Sequence, residues 1–206
     1  MVQEQVHPPH SYDVHGATAA ARPRIPGRTY KFYDGPEVLY WFGHGLSYTK
    51  FRYESSAGNG TAVTLAAAGG HCKRLSYKAG AVDAAPSCPA IDAATHACKE
   101  TVDFNVSVVN AGDVDGSHVV LVYTVPPPEV AGAPIKQVVA FQRVFVKAGG
   151  AATVGFTLKV CEAFGIVEKT AYTVVPSGTS TVLLENGDTS SPSSVSFPVK
   201  INFYLD

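Results

Sequence analysis

The sequence predicts an all-β fold, an antiparallel β-sandwich, from three observations. Apolar and polar residues alternate with period two in several runs after residue 100, turn residues punctuate those runs, and no intervening stretch carries a helical period. The clearest run is TVDFNVSVVN, residues 101–110, where Val102, Phe104, Val106 and Val108 alternate with Thr101, Asp103, Asn105 and Ser107. Successive strand side chains point to opposite faces, so this strand has one buried face and one wet face.

The elements after it follow in order. AGDVDG at 111–116 is a turn. Asp113 and Asp115 sit in it beside Gly116, but a calcium loop needs more oxygen ligands at regular spacing and a late Glu, so they read as turn formers. SHVVLVYTV at 117–125 is apolar on both faces, as a central strand is, and Pro126-Pro127-Pro128 ends it. KQVVAFQRVFV at 136–146 is the next strand, and KAGGA the next turn. Val154, Phe156, Leu158 and Val160 form one face of a further strand. TSTVLLE leads to an Asn186-Gly187 turn, and Val195, Phe197, Val199, Ile201 and Phe203 share a face of the last. With a first strand near Tyr48–Glu54, these make six or seven short strands, the pattern of a sandwich of immunoglobulin or fibronectin type III kind.

The stretch 55–100 interrupts the series. It is rich in Ala, Gly and Ser, and is expected as a long loop between the first two strands, pinned by disulfides rather than by a core. It holds Cys72, Cys88 and Cys98; the fourth cysteine is Cys161. None forms a C-x-x-C pair, and an even, widely spaced set allows two disulfides in three connectivities. A zinc site from His71-Cys72, Cys88 and His96-Ala97-Cys98 would have spacings that match no zinc pattern. Asn59-Gly60-Thr61 and Asn105-Val106-Ser107 are glycosylation sequons, and both features suit an oxidising, extracellular setting.

Composition excludes several classes. At 46% apolar and 16% charged residues the chain is globular rather than disordered. Lys+Arg at 16 against Asp+Glu at 17 leaves no basic excess to attract nucleic acid, and no apolar run approaches a membrane span. Residues 1–21 read as an irregular tail without the pattern of a signal peptide. His7, His10 and His15 in it have no geometry-fixing spacing for a metal. No nucleophile elbow, P-loop or dinucleotide fingerprint occurs, so no cofactor is expected. Asp34, Glu37 and Glu54 cluster only in sequence and are not assigned as catalytic carboxylates.

The densest aromatic stretch is FYDGPEVLYWFGHGLSYTKFRYE, residues 32–54. His44 between Gly43 and Gly45 could centre a ligand site. A packed corner is the stronger reading, with Gly43 and Gly45 making the reversal and Trp41, Phe42, Leu46 and Tyr48 packing on the sandwich.

These residues carry a resemblance. PGRTYKFYDGP followed by FGHGLSYTKFRY, then NAGDVDGSHVVLVYTVPPPEVAGAPIKQVVAFQRVFV, CEAFGIVEKTAYTVVPSG and SVSFPVKINF, resembles the C-terminal part of plant β-D-xylosidases/α-L-arabinofuranosidases of glycoside hydrolase family 3. The likeness covers residues 22–206, with the four cysteines at similar places. It departs from the family where VLYWFGHG lacks the usual Pro before Phe, and where VLLENGD replaces a Gly-Asp-Gly turn.

The resemblance implies a junction segment at 22–46, ending a second catalytic domain, and a fibronectin type III-like domain at 47–206. It also implies that the nucleophilic aspartate and the acid/base carboxylate belong to regions outside these residues. The chain alone is therefore expected to be inactive. Its expected partners are the catalytic domains and cell-wall polysaccharide, and its expected place is the cell wall. A stand-alone module binding carbohydrate or protein is the alternative.

Overall fold

In the computed structural model, residues 27–35, 38–55, 61–67, 72–81, 86–94, 98–186 and 193–205 are described. The tail with His7, His10 and His15 lies outside them, as do Glu37, Asn59, His71 and His96. Two sheets pack face to face. The first is three-stranded and antiparallel, in the order β1 (Phe51–Ser55), β5 (Thr101–Asn110), β8 (Ala151–Lys159). The second has five strands in the order β2 (Thr61–Ala67), β12 (Ser194–Leu205), β11 (Gly178–Glu185), β6 (Gly116–Val125), β7 (Gln137–Val146).

The period-two pattern sets which face is buried. In β5, Val102, Phe104, Val106 and Val108 point inward, and in β8 so do Val154, Phe156 and Leu158. They meet Val120, Val122, Val182, Leu184, Val199 and Ile201 from the other sheet in one continuous core. Phe104 stacks on Phe156 at 5.4 Å and meets Phe197 edge-on at 5.1 Å.

All neighbours in this sandwich are antiparallel except β2, which runs parallel to β12 from Val199↔Thr61 onward. Pro198 stands one residue before that ladder begins, where its missing N–H costs no bond to β2.

The stretch 55–100 is more structured than its composition suggested. It contributes β2 to the main sheet. It also gives β3 (Cys72–Lys73) and β4 (Ala90–Asp92) to a small sheet with β9 (Ile166–Val167) and β10 (Thr173–Pro176), in the order β3-β4-β10-β9. Ala90, Val130, Ile166 and Val174 form a separate small core beneath it. Two disulfides, Cys72–Cys88 and Cys98–Cys161, add to this packing, the second reaching the short helix α2 (Val160–Ala163). A core as well as cross-links therefore holds the region. Short apolar side chains such as Ala90 and Ile91 are buried there, but runs of two or three residues leave no readable period.

Two polar groups join the layers. Tyr53 Oη and His118 Nε2 lie 2.6 Å apart, bridging β1 and β6, and His118 stacks on Phe51 at 4.7 Å. Burial pushes the His118 pKa down. The neutral ring is thereby favoured and can accept the tyrosine O–H. Asn110 at the end of β5 is wholly buried and bonds in four directions, as described below.

Candidate functional site

Within residues 27–35 and 38–44, Tyr30, Lys31, Phe42 and Gly43 lie against β6, β7 and the residues leading into β7. The first of these stretches contains a single helical turn, α1 (Thr29–Phe32). The Ile135 N–H donates to the Lys31 carbonyl at 2.6 Å, and the Val138 N–H donates to Tyr30 Oη at 3.1 Å. Tyr30 stacks on Phe42 at 4.1 Å, and both meet Tyr123 edge-on at 6.4 Å. Tyr123 Oη donates to the Phe42 carbonyl at 3.3 Å. Burial, then the neighbouring Tyr30, raises the Tyr123 pKa to about 12, so it stays a donor at any ordinary pH. Lys136 caps the group, its Nζ 4.7 Å from the Tyr123 ring centroid and paired with the Glu185 carboxylate. Burial lowers the Lys136 pKa.

The reversal predicted at 43–45 exists, with a different division of labour between the glycines. The His44 N–H donates to the Trp41 carbonyl at 2.9 Å, closing a four-residue turn with Gly43 at φ +93° in its third position. A Cβ on Gly43 would stand 2.8 Å from Tyr123 Oη and 2.9 Å from Leu121 Cδ1. Gly45 has no positive φ, and a Cβ there would meet nothing within 4 Å. Gly43→Val is therefore expected to undock the 27–44 segment and cost about 2 kcal/mol or more, from strain plus overpacking. Gly45→Val should stay within about 0.5 kcal/mol of wild type. Paired thermal melts check this; equal losses would contradict the assignment.

The aromatic corner is only partly as expected. Phe42 and Trp41 are half exposed, and Phe42 is the one that packs on Tyr123. Leu46 and Tyr48 do not pack on the sandwich: they are 98% and 99% exposed. The turn spends its reversal before them, and the chain then runs outward until Thr49. His44 stacks on Tyr40 at 4.8 Å rather than centring a pocket. Tyr30, Tyr33, Tyr40, Trp41, Phe42 and Lys136 wall an open cleft of about 330 Å³.

The apolar surface continues beyond the segment. Residues directly opposite across the β6–β7 ladder share a face, and Leu121↔Phe141, Val119↔Arg143 and Ser117↔Phe145 are such pairs on the outer side. Phe141 is 73% exposed and Phe145 58%. Leu121 links them to Gly43 and Tyr123. Phe141 and Phe145 stand four residues apart on the outer face of β7 with Arg143 between them, and exposed aromatic side chains so placed are of the kind that marks an interaction surface.

Among the described residues that line this cleft there is no carboxylate. Asp34 and Glu54 are exposed, on the docked segment and on β1. Among the described residues no group of three or more His, Cys, Asp or Glu side chains could hold a metal ion. Asp113 and Asp115 lie in the β5–β6 turn, where Asp115 Oδ1 accepts the Ala148 N–H at 2.8 Å. The remaining site residues fall elsewhere: Asn105 on the outer face of the three-stranded sheet, and all four cysteines in the two disulfides. Sequence reasoning missed Tyr30, Tyr123, Phe141 and Phe145. KQVVAFQRVFV read as a strand run, but its alternation does not say which face is covered.

Comparison with known proteins gives a consistent result. The fibronectin type III-like domain matches residues 118–187. "Probable beta-D-xylosidase 6" of Arabidopsis thaliana is 33% identical over 190 residues, 90% of this chain and 23% of that protein. "Beta-D-xylosidase 3" of the same plant is 34% identical over 70% of this chain and 18% of its own length. "Beta-xylosidase/alpha-L-arabinofuranosidase 2" of Medicago sativa subsp. varia is 30% identical over 82% of this chain and 20% of its own length. The chain thus spans less than a quarter of these relatives. A crystal structure of beta-glucosidase from Listeria innocua in complex with glucose superposes with a TM-score of 0.58 over 95% of this chain and 22% of that one, at 20% identity, a likeness of fold.

Proposed function

We propose, from the premise that this chain belongs to the plant β-D-xylosidase/α-L-arabinofuranosidase family of glycoside hydrolase family 3 as its fibronectin type III-like C-terminal part, that it is a non-catalytic module whose β6–β7 face packs against the catalytic domains of such an enzyme. The observation that carries this reading is the exposure of Phe141 and Phe145 on the outer face of β7, with Trp41, Leu46 and Tyr48 exposed on the segment that precedes β1. Exposed aromatics in that number cost solubility unless a partner covers them. In this reading residues 22–46 are the last part of the preceding domain and 47–206 the sandwich. The enzyme served removes xylose or arabinofuranose from xylan and arabinan side chains outside the cell. The relatives' names and the two disulfides support this. Among the described residues no helix is long and apolar enough to cross a membrane.

A second reading, a stand-alone carbohydrate-binding sandwich, draws on the Tyr- and Trp-walled cleft. Retaining hydrolysis needs two carboxylates about 5 Å apart, one as nucleophile and one protonating the leaving group. The site described here offers no such pair. The purified chain is expected to give no turnover of aryl β-xylosides or α-arabinofuranosides above buffer. Turnover that follows the protein through successive purification steps would overturn the non-catalytic reading.

A further inference from the structure

The outer face of the three-stranded sheet carries none of the exposed aromatic side chains found on the β6–β7 face. Along β5 the exposed positions are Thr101, Asp103 and Asn105, and along β8 they are Ala151, Thr153, Gly155, Thr157 and Lys159. All are small or hydrophilic, and Thr157 Oγ1 donates to Asp103 Oδ1 across the ladder. The face carries the Asn105-Val106-Ser107 sequon. Strand alternation buries Val106 and turns Asn105 and Ser107 outward on the same side. The residue directly across from Asn105 is Gly155. A Cβ at Gly155 would stand 2.9 Å from Asn105 Oδ1, so a side chain there would take the space beside the Asn105 amide.

We propose that Asn105 is an N-glycosylation site of the folded protein, and that its glycan occupies the polar side of the sandwich, opposite the apolar face. In the reaction the Asn105 Nδ2 forms a bond to C1 of a lipid-diphosphate-linked oligosaccharide. The C1–O bond to the diphosphate breaks, the lipid diphosphate leaves, and the amide gives up one proton. The donor belongs to the secretory pathway, so the proposal rests on the extracellular reading above. The placement has a consequence for that reading. The two outer faces are separated by the core between the sheets, so a glycan on β5 leaves Phe141 and Phe145 free to be covered.

The test is expression of the full chain behind a secretion leader in a eukaryotic host. The Asn105 peptide is then analysed after enzymatic deglycosylation, which converts a glycosylated Asn to Asp. The expected result is conversion at Asn105 in the soluble, folded fraction and its loss in both Asn105→Gln and Ser107→Ala. Overturning results are an unconverted Asn105 in secreted protein, or conversion confined to aggregated material. The leader supplies entry to the pathway, so a negative result counts against Asn105 and leaves the xylosidase-module reading standing. Binding to catalytic domains can fail independently of it.

Discussion

Replacing Cys98 and Cys161 together by Ser is expected to cost about 4 kcal/mol of stability, since the bridge closes a span of 63 residues and cross-linking stabilises in proportion to the logarithm of the loop. At 206 residues that loss corresponds to a fall in Tm of roughly 8–16 °C. The bridge ties the residues leading into β5 to α2, whose Val160 and Ala163 side chains, with Phe164 just after it, are buried in the main core. Losing it loosens the entry to the central strand of the three-stranded sheet. The Cys72–Cys88 bridge closes only 16 residues, where the same reasoning gives about 3 kcal/mol. Cys88 belongs to the main core with Cys72 packed against it, so part of this loss is felt there, while β3 and β4 retain their ladder. Non-reducing thermal melts of the two double variants test the order. A larger loss from Cys72→Ser/Cys88→Ser would show that chain entropy does not govern these bridges.

Asn110→Ala is expected to cost about 3 kcal/mol, from desolvated groups left without partners. The side chain is 0% exposed. Its Nδ2 donates to the carbonyls of Val114 at 2.8 Å and Val146 at 3.1 Å. Its Oδ1 accepts from the Gly112 N–H at 3.1 Å and from Thr49 Oγ1. One amide thus fixes the β5–β6 turn, the end of β7 and the point where the N-terminal segment enters β1. Asn110→Asp should not rescue it, because a carboxylate would face two carbonyl oxygens. Thr49→Ala, which removes one bond at a partly exposed position, should cost about 1 kcal/mol. Denaturant unfolding of the three variants checks the series. An Asn110→Ala variant within 1 kcal/mol of wild type would mean that water or rearranged backbone serves those groups.

The sandwich was legible because its strands obey a strict period. In β5 the alternation of Val102, Phe104, Val106 and Val108 with polar residues matches the buried and open faces position by position. The small sheet was not legible, because two- and three-residue strands such as Cys72–Lys73 and Ala90–Asp92 carry no period. The parallel β2 was hidden for a different reason. TAVTLAA alternates only weakly, and its partner β12 is more than 130 residues away. At the candidate site, the glycines flagged a reversal, but only φ and the nearest atoms separate Gly43 from Gly45. Asn110 was passed over as the last residue of the strand run TVDFNVSVVN, outside its apolar alternation. Its four bonds come from residues as distant as Thr49 and Val146, which no local pattern can announce. KQVVAFQRVFV was read only as a strand run, which leaves open which face is covered; the exposure of Phe141 and Phe145 is the observation on which the functional reading turns.

The most direct test of that reading is association in trans. The chain is mixed with the catalytic region of a related plant β-xylosidase from which the equivalent fibronectin type III-like part has been removed, and binding is followed by calorimetry. Saturable binding is expected, with the affinity of Phe141→Asp/Phe145→Asp reduced by about 2 kcal/mol or more, roughly thirtyfold, as for loss of aromatic anchors at an interface centre. Both residues are exposed, so the variant should melt as the wild type does. Absence of binding by the wild-type chain, or equal binding by the folded double variant, would contradict the claim that this face is the docking surface.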